Sequence, residues 1–163
     1  MSDRLVKLYN LPDPGNYLEN LRESGIEIRR AMAYEKFQIV EWVRNTFGLL
    51  WAGECDVAFS NHPISCFIAT SRNSIAAFAC FDSTYRNFFG PIGVAHRSRR
   101  QGIGRALLLR CLYAMAENGF AYAIIGDSDK ASRFYSGVIE TFEIKGSSPG
   151  IYVNRLKNDG SGE

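Results

Sequence analysis

Arg99-Arg100-Gln101-Gly102-Ile103-Gly104-Arg105-Ala106 is the stretch on which the reading of this chain turns. It stands between an extended run ending at Val94 and the clearest helical pattern in the sequence, Ile103 to Asn118. In that pattern Ile103, Leu107, Cys111 and Met115 recur every four residues, and Gly119 is placed to stop the helix. The first turn of a helix has backbone N–H groups without intrahelical partners and a partial positive charge. Gly102 and Gly104 let a bulky anion approach those donors, and Arg99, Arg100 and Arg105 add planar cationic forks suited to phosphate oxygens. The segment reads as a pyrophosphate cradle. Position 107 is Leu, which breaks a three-glycine dinucleotide fingerprint, and the Gly-Lys-Ser/Thr of a P-loop is absent.

Outward from this turn the pattern is mixed. Upstream, Ser65–Ser71 and Ile75–Asp82 are strand candidates around an Arg72-Asn73 hairpin turn. Phe88–Val94 is another, with Gly90, Pro91 and Gly93 marking a bulge or a close backbone approach. Further back lie a short helix over Asn16–Ser24, a strand over Ile26–Met32 and an amphipathic helix over Glu35–Phe47. One face of that helix carries Phe37, Val40 and Arg44, widened by Ile39, Trp42 and Val43. Gly48–Asp56 reads as loop or a second short helix, and Val57–Ser60 as a short strand or part of that loop. Downstream come a buried strand over Ala121–Ile125 and a short helix over Lys130–Ser136 capped by Ser128 or Asp129. Two last strands are expected over Thr141–Ile144 and Ile151–Leu156. A strand–helix–strand unit needs a crossover, so hairpins followed by such a unit imply a mixed sheet with one locally parallel pair.

The spacing Arg-x-x-Gly-x-Gly after a strand, held by Arg99, Gly102 and Gly104, resembles the acetyl-CoA-binding motif of the GNAT superfamily of acetyl-CoA-dependent N-acetyltransferases. Ala131-Ser132-Arg133-Phe134-Tyr135 resembles the family's Ala-x-x-Phe-Tyr helix. The resemblance runs from about Ile26 to Leu156. It implies a mixed α/β fold, a central twisted sheet of about six or seven strands flanked by helices. It also implies acetyl-CoA as acyl donor, with no metal, and a cofactor site made of Val94, Ala95, His96, Arg99, Arg100, Gln101, Gly102, Ile103, Gly104 and Arg105. In the family the Pro91–Val94 strand pairs with the pantetheine arm, and the strand at Ala121–Ile125 splays away to make room. This sequence departs from the pattern in two places. Ser136-Gly137-Val138 stands where the family has Gly-Phe, and Asp127, Ser128 and Asp129 occupy the region of a CoA-contacting Asn.

The chemistry implied is attack of an amine on the acetyl carbonyl in a ternary complex. An alkyl ammonium with a pKa of ~10.4 must first lose a proton. The resemblance makes the backbone N–H near Val94 or Ala95 the oxyanion donor and Tyr135 the acid for the departing thiolate. Candidates for the base are Glu54, which falls on the family's acceptor side, then Asp82, then His96; His62 carries no evident chemistry. Trp42, Phe47, Trp51, Tyr85, Phe88, Phe89 and Tyr152 are candidate pocket walls, with Trp51 foremost because an aromatic beside Glu54 suits a cationic amine. Arg29, Arg30 and Arg97 read as solvated charge. The acceptor is expected to be a small-molecule or peptide amine. A non-catalytic acyl-CoA-binding or sensor domain on the same fold, and a nucleotide-phosphate binder, are the rival readings.

Composition sets the outer bounds. The chain has 163 residues, 46% of them hydrophobic and 22% charged, which suits one globular domain with its own core. A net charge of +2 offers no broad cationic surface, so neither nucleic acid nor membrane is expected as a partner. Cys55, Cys66, Cys80 and Cys111 each sit among apolar residues, and no two lie at metal-ligand spacing. They read as packed free thiols, which fits a cytoplasmic, reducing compartment. Residues 1–25 form an N-terminal extension outside the family's common core, expected either to cover a sheet edge or to make a homodimer contact. Residues 26–157 form the acetyltransferase domain, and the polar, Gly-rich 158–163 a disordered tail.

Overall fold

Side-chain alternation in the central hairpin sorts the core into two halves. The computed structural model describes residues 2–126 and 131–156. In chain order it contains β1 (Arg4–Lys7), α1 (Tyr17–Glu23), β2 (Ile26–Arg30), α2 (Lys36–Phe47) and α3 (Leu49–Ala58). There follow β3 (Cys66–Ser71), β4 (Ser74–Phe81), β5 (Phe88–Val94), α4 (Ile103–Glu117), β6 (Tyr122–Ile125), α5 (Ser132–Ser136) and β7 (Phe142–Glu143). The proposed caps Ser128 and Asp129, the start of α5 at Lys130 and the tail 158–163 lie outside the described residues.

β3 and β4 are joined by Arg72 and Asn73, whose φ angles of 49° and 59° suit the two left-handed positions of a tight hairpin. Successive residues then face opposite sides. Phe67, Ala69, Ala77, Ala79 and Phe81 join the half of the core built with α4 and Leu21 of α1. Cys66, Ile68, Phe78 and Cys80 join the half built with Ile39 and Val43 of α2 and Ala52, Cys55 and Ala58 of α3. The sheet is therefore covered on both faces, which is why β4 is buried along nearly its whole length. α4 is apolar almost all round because it is enclosed. Ile103, Leu107, Cys111 and Met115 are at most 1% exposed.

Among the described residues the sheet has seven strands in the order β2-β3-β4-β5-β6-β1-β7. All neighbours are antiparallel except β5 and β6, the pair that α4 connects. The expected mixed sheet and its single crossover are thus present.

Five local expectations change. β1 lies inside the sheet, pairing with β6 on one side and β7 on the other, rather than covering an edge. Gly48–Asp56 and Val57–Ser60 merge into α3 and the turn after it, because Ala52, Cys55 and Ala58 form a buried helical stripe. Ile151–Leu156 is no strand: Gly150, with φ 54°, opens a 3₁₀ turn through Tyr152. Phe37 is 81% exposed, so the buried face of α2 is Ile39 and Val43. Arg29 and Arg30 are partnered rather than solvated. Arg29 forks onto Glu35 at 2.6 and 2.9 Å, while Arg30 stacks 4.6 Å over Phe67 and donates to the Ile64 carbonyl.

Candidate active site

Among the described residues β5 and β6 pair only through Phe88↔Ile124 and Phe89↔Ile125. β5 continues along β4 to Val94, so its far edge from Gly90 onward has no strand partner among the described residues. The Ala95 N–H donates to the Ala76 carbonyl at 2.9 Å. Alternation along the strand turns the Val94 N–H the other way, toward the open edge. Of the two expected oxyanion donors, Val94 is therefore available and Ala95 is engaged in the sheet.

A cavity of about 1390 Å³ opens along this edge. That exceeds the ~300–1,000 Å³ of ordinary small-molecule pockets and suits a long ligand. Its walls include Val94, Arg99, Arg100, Gly102, Ile103, Gly104 and Arg105 from the cradle, and also Glu54 and Tyr135. Residues more than 80 positions apart in the chain thus share one wall system. Ala95, His96 and Gln101 do not line the cavity. His96 is exposed in the 3₁₀ turn His96–Ser98.

The cradle owes its shape to its backbone. Arg100 and Gly102 have φ of 63° and 82°, and Gly102 N-caps α4. The left-handed conformation costs an L-residue about 1–2 kcal/mol, which favours glycine at 102. Gly104 serves a different purpose: a Cβ there would sit 3.4 Å from the Phe134 ring. Arg99 lies exposed on the cavity wall and its Nε donates to the Val94 carbonyl at 3.2 Å. Arg105 stacks its guanidinium 4.3 Å over the Tyr17 ring, so α1 helps to orient it.

Tyr135 is buried, edge-on to Phe89 and Phe134. Its hydroxyl makes no hydrogen bond within the described residues, and burial pushes its pKa up to about 12. Glu54 is half-buried, and loss of water raises its pKa above the ordinary carboxylate value. A hydrogen bond from Thr84 Oγ1 at 2.7 Å and the charge of Arg155 work in the opposite direction. The other proposed bases serve elsewhere. The Asp82 carboxylate accepts from the Asn87 backbone N–H at 2.6 Å, closing the turn before β5, and His96 stands exposed away from the cavity lining.

Of the aromatic candidates, Trp51, Phe88, Phe89 and Tyr152 line the cavity, whereas Trp42, Phe47 and Tyr85 do not. Trp42 and Phe47 pack with Phe78 and Trp51 in one aromatic cluster. Thr84, Ile151 and Arg155 were not singled out by sequence reasoning. Their places depend on the loop after β4 and on a C-terminal turn that no periodicity marks. Tyr152 reaches so close to Gly126 that a Cβ there would lie 2.7 Å from its hydroxyl.

A mixed sheet that splits between two parallel strands, beside a glycine-led helix start, is the architecture of the N-acetyltransferase fold. The Acetyltransferase (GNAT) family matches residues 28–137, more than half of the chain, and the chain belongs to that family. Among solved structures it is similar to a GCN5-related glucosamine N-acetyltransferase region of a fungal multi-domain GH3 β-N-acetylglucosaminidase. The TM-score is 0.68 and the identity 15%, over 87% of this chain and 20% of that one. A GCN5-related N-acetyltransferase from Sphaerobacter thermophilus matches with a TM-score of 0.62 and 17% identity, over 87% of this chain and 48% of that one. An aminoglycoside acetyltransferase from an uncultured soil metagenomic sample, in complex with sisomicin, gives 0.52 and 16%, over 71% and 88%. The chain thus spans about a fifth of the first structure's length and under half of the second's. No curated protein matches it. Among the described residues no helix is long and apolar enough to cross a membrane.

Proposed function

We propose that this protein is an N-acetyltransferase that moves an acetyl group from acetyl-CoA to an amine by direct attack in a ternary complex. The observation that carries the reading is the single cavity shared by the Arg99–Arg105 cradle, Tyr135 and Glu54. Arg99, Arg100 and the start of α4 suit the donor's phosphates. The Val94 N–H on the open edge suits the developing oxyanion. All four cysteines are buried and none lines the cavity, which favours direct transfer over a thiol-bound intermediate.

Glu54 is the base. A carboxylate whose pKa is raised by burial accepts a proton from an ammonium more readily than an exposed one, and Trp51 beside it offers a π-face to that cation. Tyr135 acts on the leaving sulfur. Moving a proton fully from a phenol near 12 to a thiolate near ~8.5 is uphill by about 5 kcal/mol. Its unpartnered hydroxyl therefore acts mainly as a hydrogen-bond donor to the charge that develops on sulfur.

The test is release of free CoA thiol from acetyl-CoA across a panel of polyamines, amino acids, aminoglycosides and peptides. Amine-dependent release supports the reading. Tight acetyl-CoA binding with no turnover on any amine would instead identify a non-catalytic acyl-CoA sensor.

A further inference from the structure

The cysteines are separated in sequence but three of them meet in space. Cys66 and Cys80 are direct cross-strand partners on β3 and β4, so their side chains leave the same face of the sheet. α3 lies over that face and lowers Cys55 onto them. The ligand atoms of Cys55, Cys66 and Cys80 all lie within 4.8 Å of one another, and all three residues are fully buried. Cys111 belongs to the opposite half of the core, with α4. Sequence spacing hid the trio because its members come from a helix and two strands.

We propose that Cys55, Cys66 and Cys80 form a three-thiolate site for a thiophilic ion, of which trivalent arsenic is the best matched. Thiolate-only ligand sets select soft ions. With metal–sulfur bonds of about 2.3 Å, pyramidal trivalent arsenic holds its sulfurs about 3.4 Å apart, so the three, which already lie within 4.8 Å of one another, need close by at most about 1.4 Å. The surroundings decide the charge. Ala31, Ile39, Val43, Ile68 and Phe78 pack in the same cluster, and among the described residues no cation acts on the three thiols. Three thiolates around a monovalent or divalent ion leave net negative charge in that apolar core, which is costly without a partner. Around a trivalent ion they leave none. Arsenous acid supplies such a centre: three S–As bonds form and three As–O bonds break. Each thiol proton leaves with one hydroxide as water, and arsenic remains trivalent throughout.

Binding would tie α3 to β3 and β4 one residue away from Glu54, so the occupied site braces the wall of the catalytic cavity. The reduced full-length chain is incubated with arsenite, natively and by refolding in its presence, and measured by native mass spectrometry, thiol titration and thermal melting. The expected result is one arsenic per chain, three thiols protected and a raised Tm. Cys55→Ala, Cys66→Ala and Cys80→Ala should each weaken binding at least about tenfold, while Cys111→Ala should leave it unchanged. Cys66→Val and Cys80→Val keep the core filled if the alanine variants do not fold. Absence of the adduct under both conditions, its survival when all three cysteines are replaced, or its loss in Cys111→Ala overturns the proposal. These readouts are independent of acetyl transfer.

Discussion

Thr84 Oγ1 donates a 2.7 Å hydrogen bond to Glu54 Oε1, joining helix α3 to the loop after β4 across the cavity wall. The bond favours the ionised acid and opposes the burial that disfavours it. Thr84→Val keeps the shape and removes the donor, so the Glu54 pKa should rise further. The acid limb of the kcat/KM–pH profile should move to higher pH, with activity at high pH nearly retained. An unmoved limb would detach this acid from the rate.

Glu54→Gln should lower kcat by ~10²–10⁴-fold if the carboxylate is the base. Stability should move the other way. Because the folded-state pKa is raised, the ionised form is disfavoured by folding. Wild-type stability therefore falls as pH rises from the unfolded value near ~4.3 through the folded one. The Gln variant has no such dependence. It should melt at a higher Tm than wild type at pH 7, with the difference vanishing near pH 4, as thermal melts across pH will show.

Tyr135→Phe removes a hydroxyl that has no protein partner among the described residues and leaves the ring contacts with Phe89 and Phe134. Tm should be unchanged or slightly higher. Acetyl-CoA affinity should stay within a few-fold, and kcat should fall by about 10²-fold or more. Steady-state kinetics with any accepted amine, with chemistry rate-limiting, measure this. An unchanged kcat removes Tyr135 from the mechanism.

Gly104→Glu places bulk against Phe134 and negative charge in the cradle, and should abolish acetyl-CoA binding in calorimetry while circular dichroism stays native. Arg99→Ala should weaken CoA more than a pantetheine analogue without phosphates, since only the charged ligand loses a partner. Equal losses would assign Arg99 to holding the Val94 carbonyl instead.

Gly93 lets the Phe47 ring approach β5: an added Cβ would lie 2.6–2.9 Å from three ring atoms. Gly93→Ala should therefore destabilise by about 1–3 kcal/mol through displaced aromatic packing, measured by denaturant unfolding. Phe47→Leu in the same background should recover part of the loss.

Local regularities carried the sequence reading as far as they reach. The four-residue recurrence on α4, the hairpin at Arg72-Asn73 and the glycine–arginine turn after Val94 are set by neighbours in the chain. Periodicity and turn preference therefore display them directly, and the cradle with its family resemblance follows. Ala-x-x-Phe-Tyr marked Tyr135 for the same reason. Elements that owe their state to distant partners were not legible in that way. Arg4–Lys7 is a strand because β6 and β7 offer it hydrogen bonds on both edges. Residues 57 and 58 are helical because α3 has a buried stripe to set on β3 and β4. Thr84, Ile151 and Arg155 reach the cavity, and Cys55, Cys66 and Cys80 reach one another, only after the sheet has folded. Side-chain chemistry is written residue by residue. Which side chains share a cavity or a cluster is decided by strand register and by which face of the sheet each helix covers, and both are properties of the whole chain.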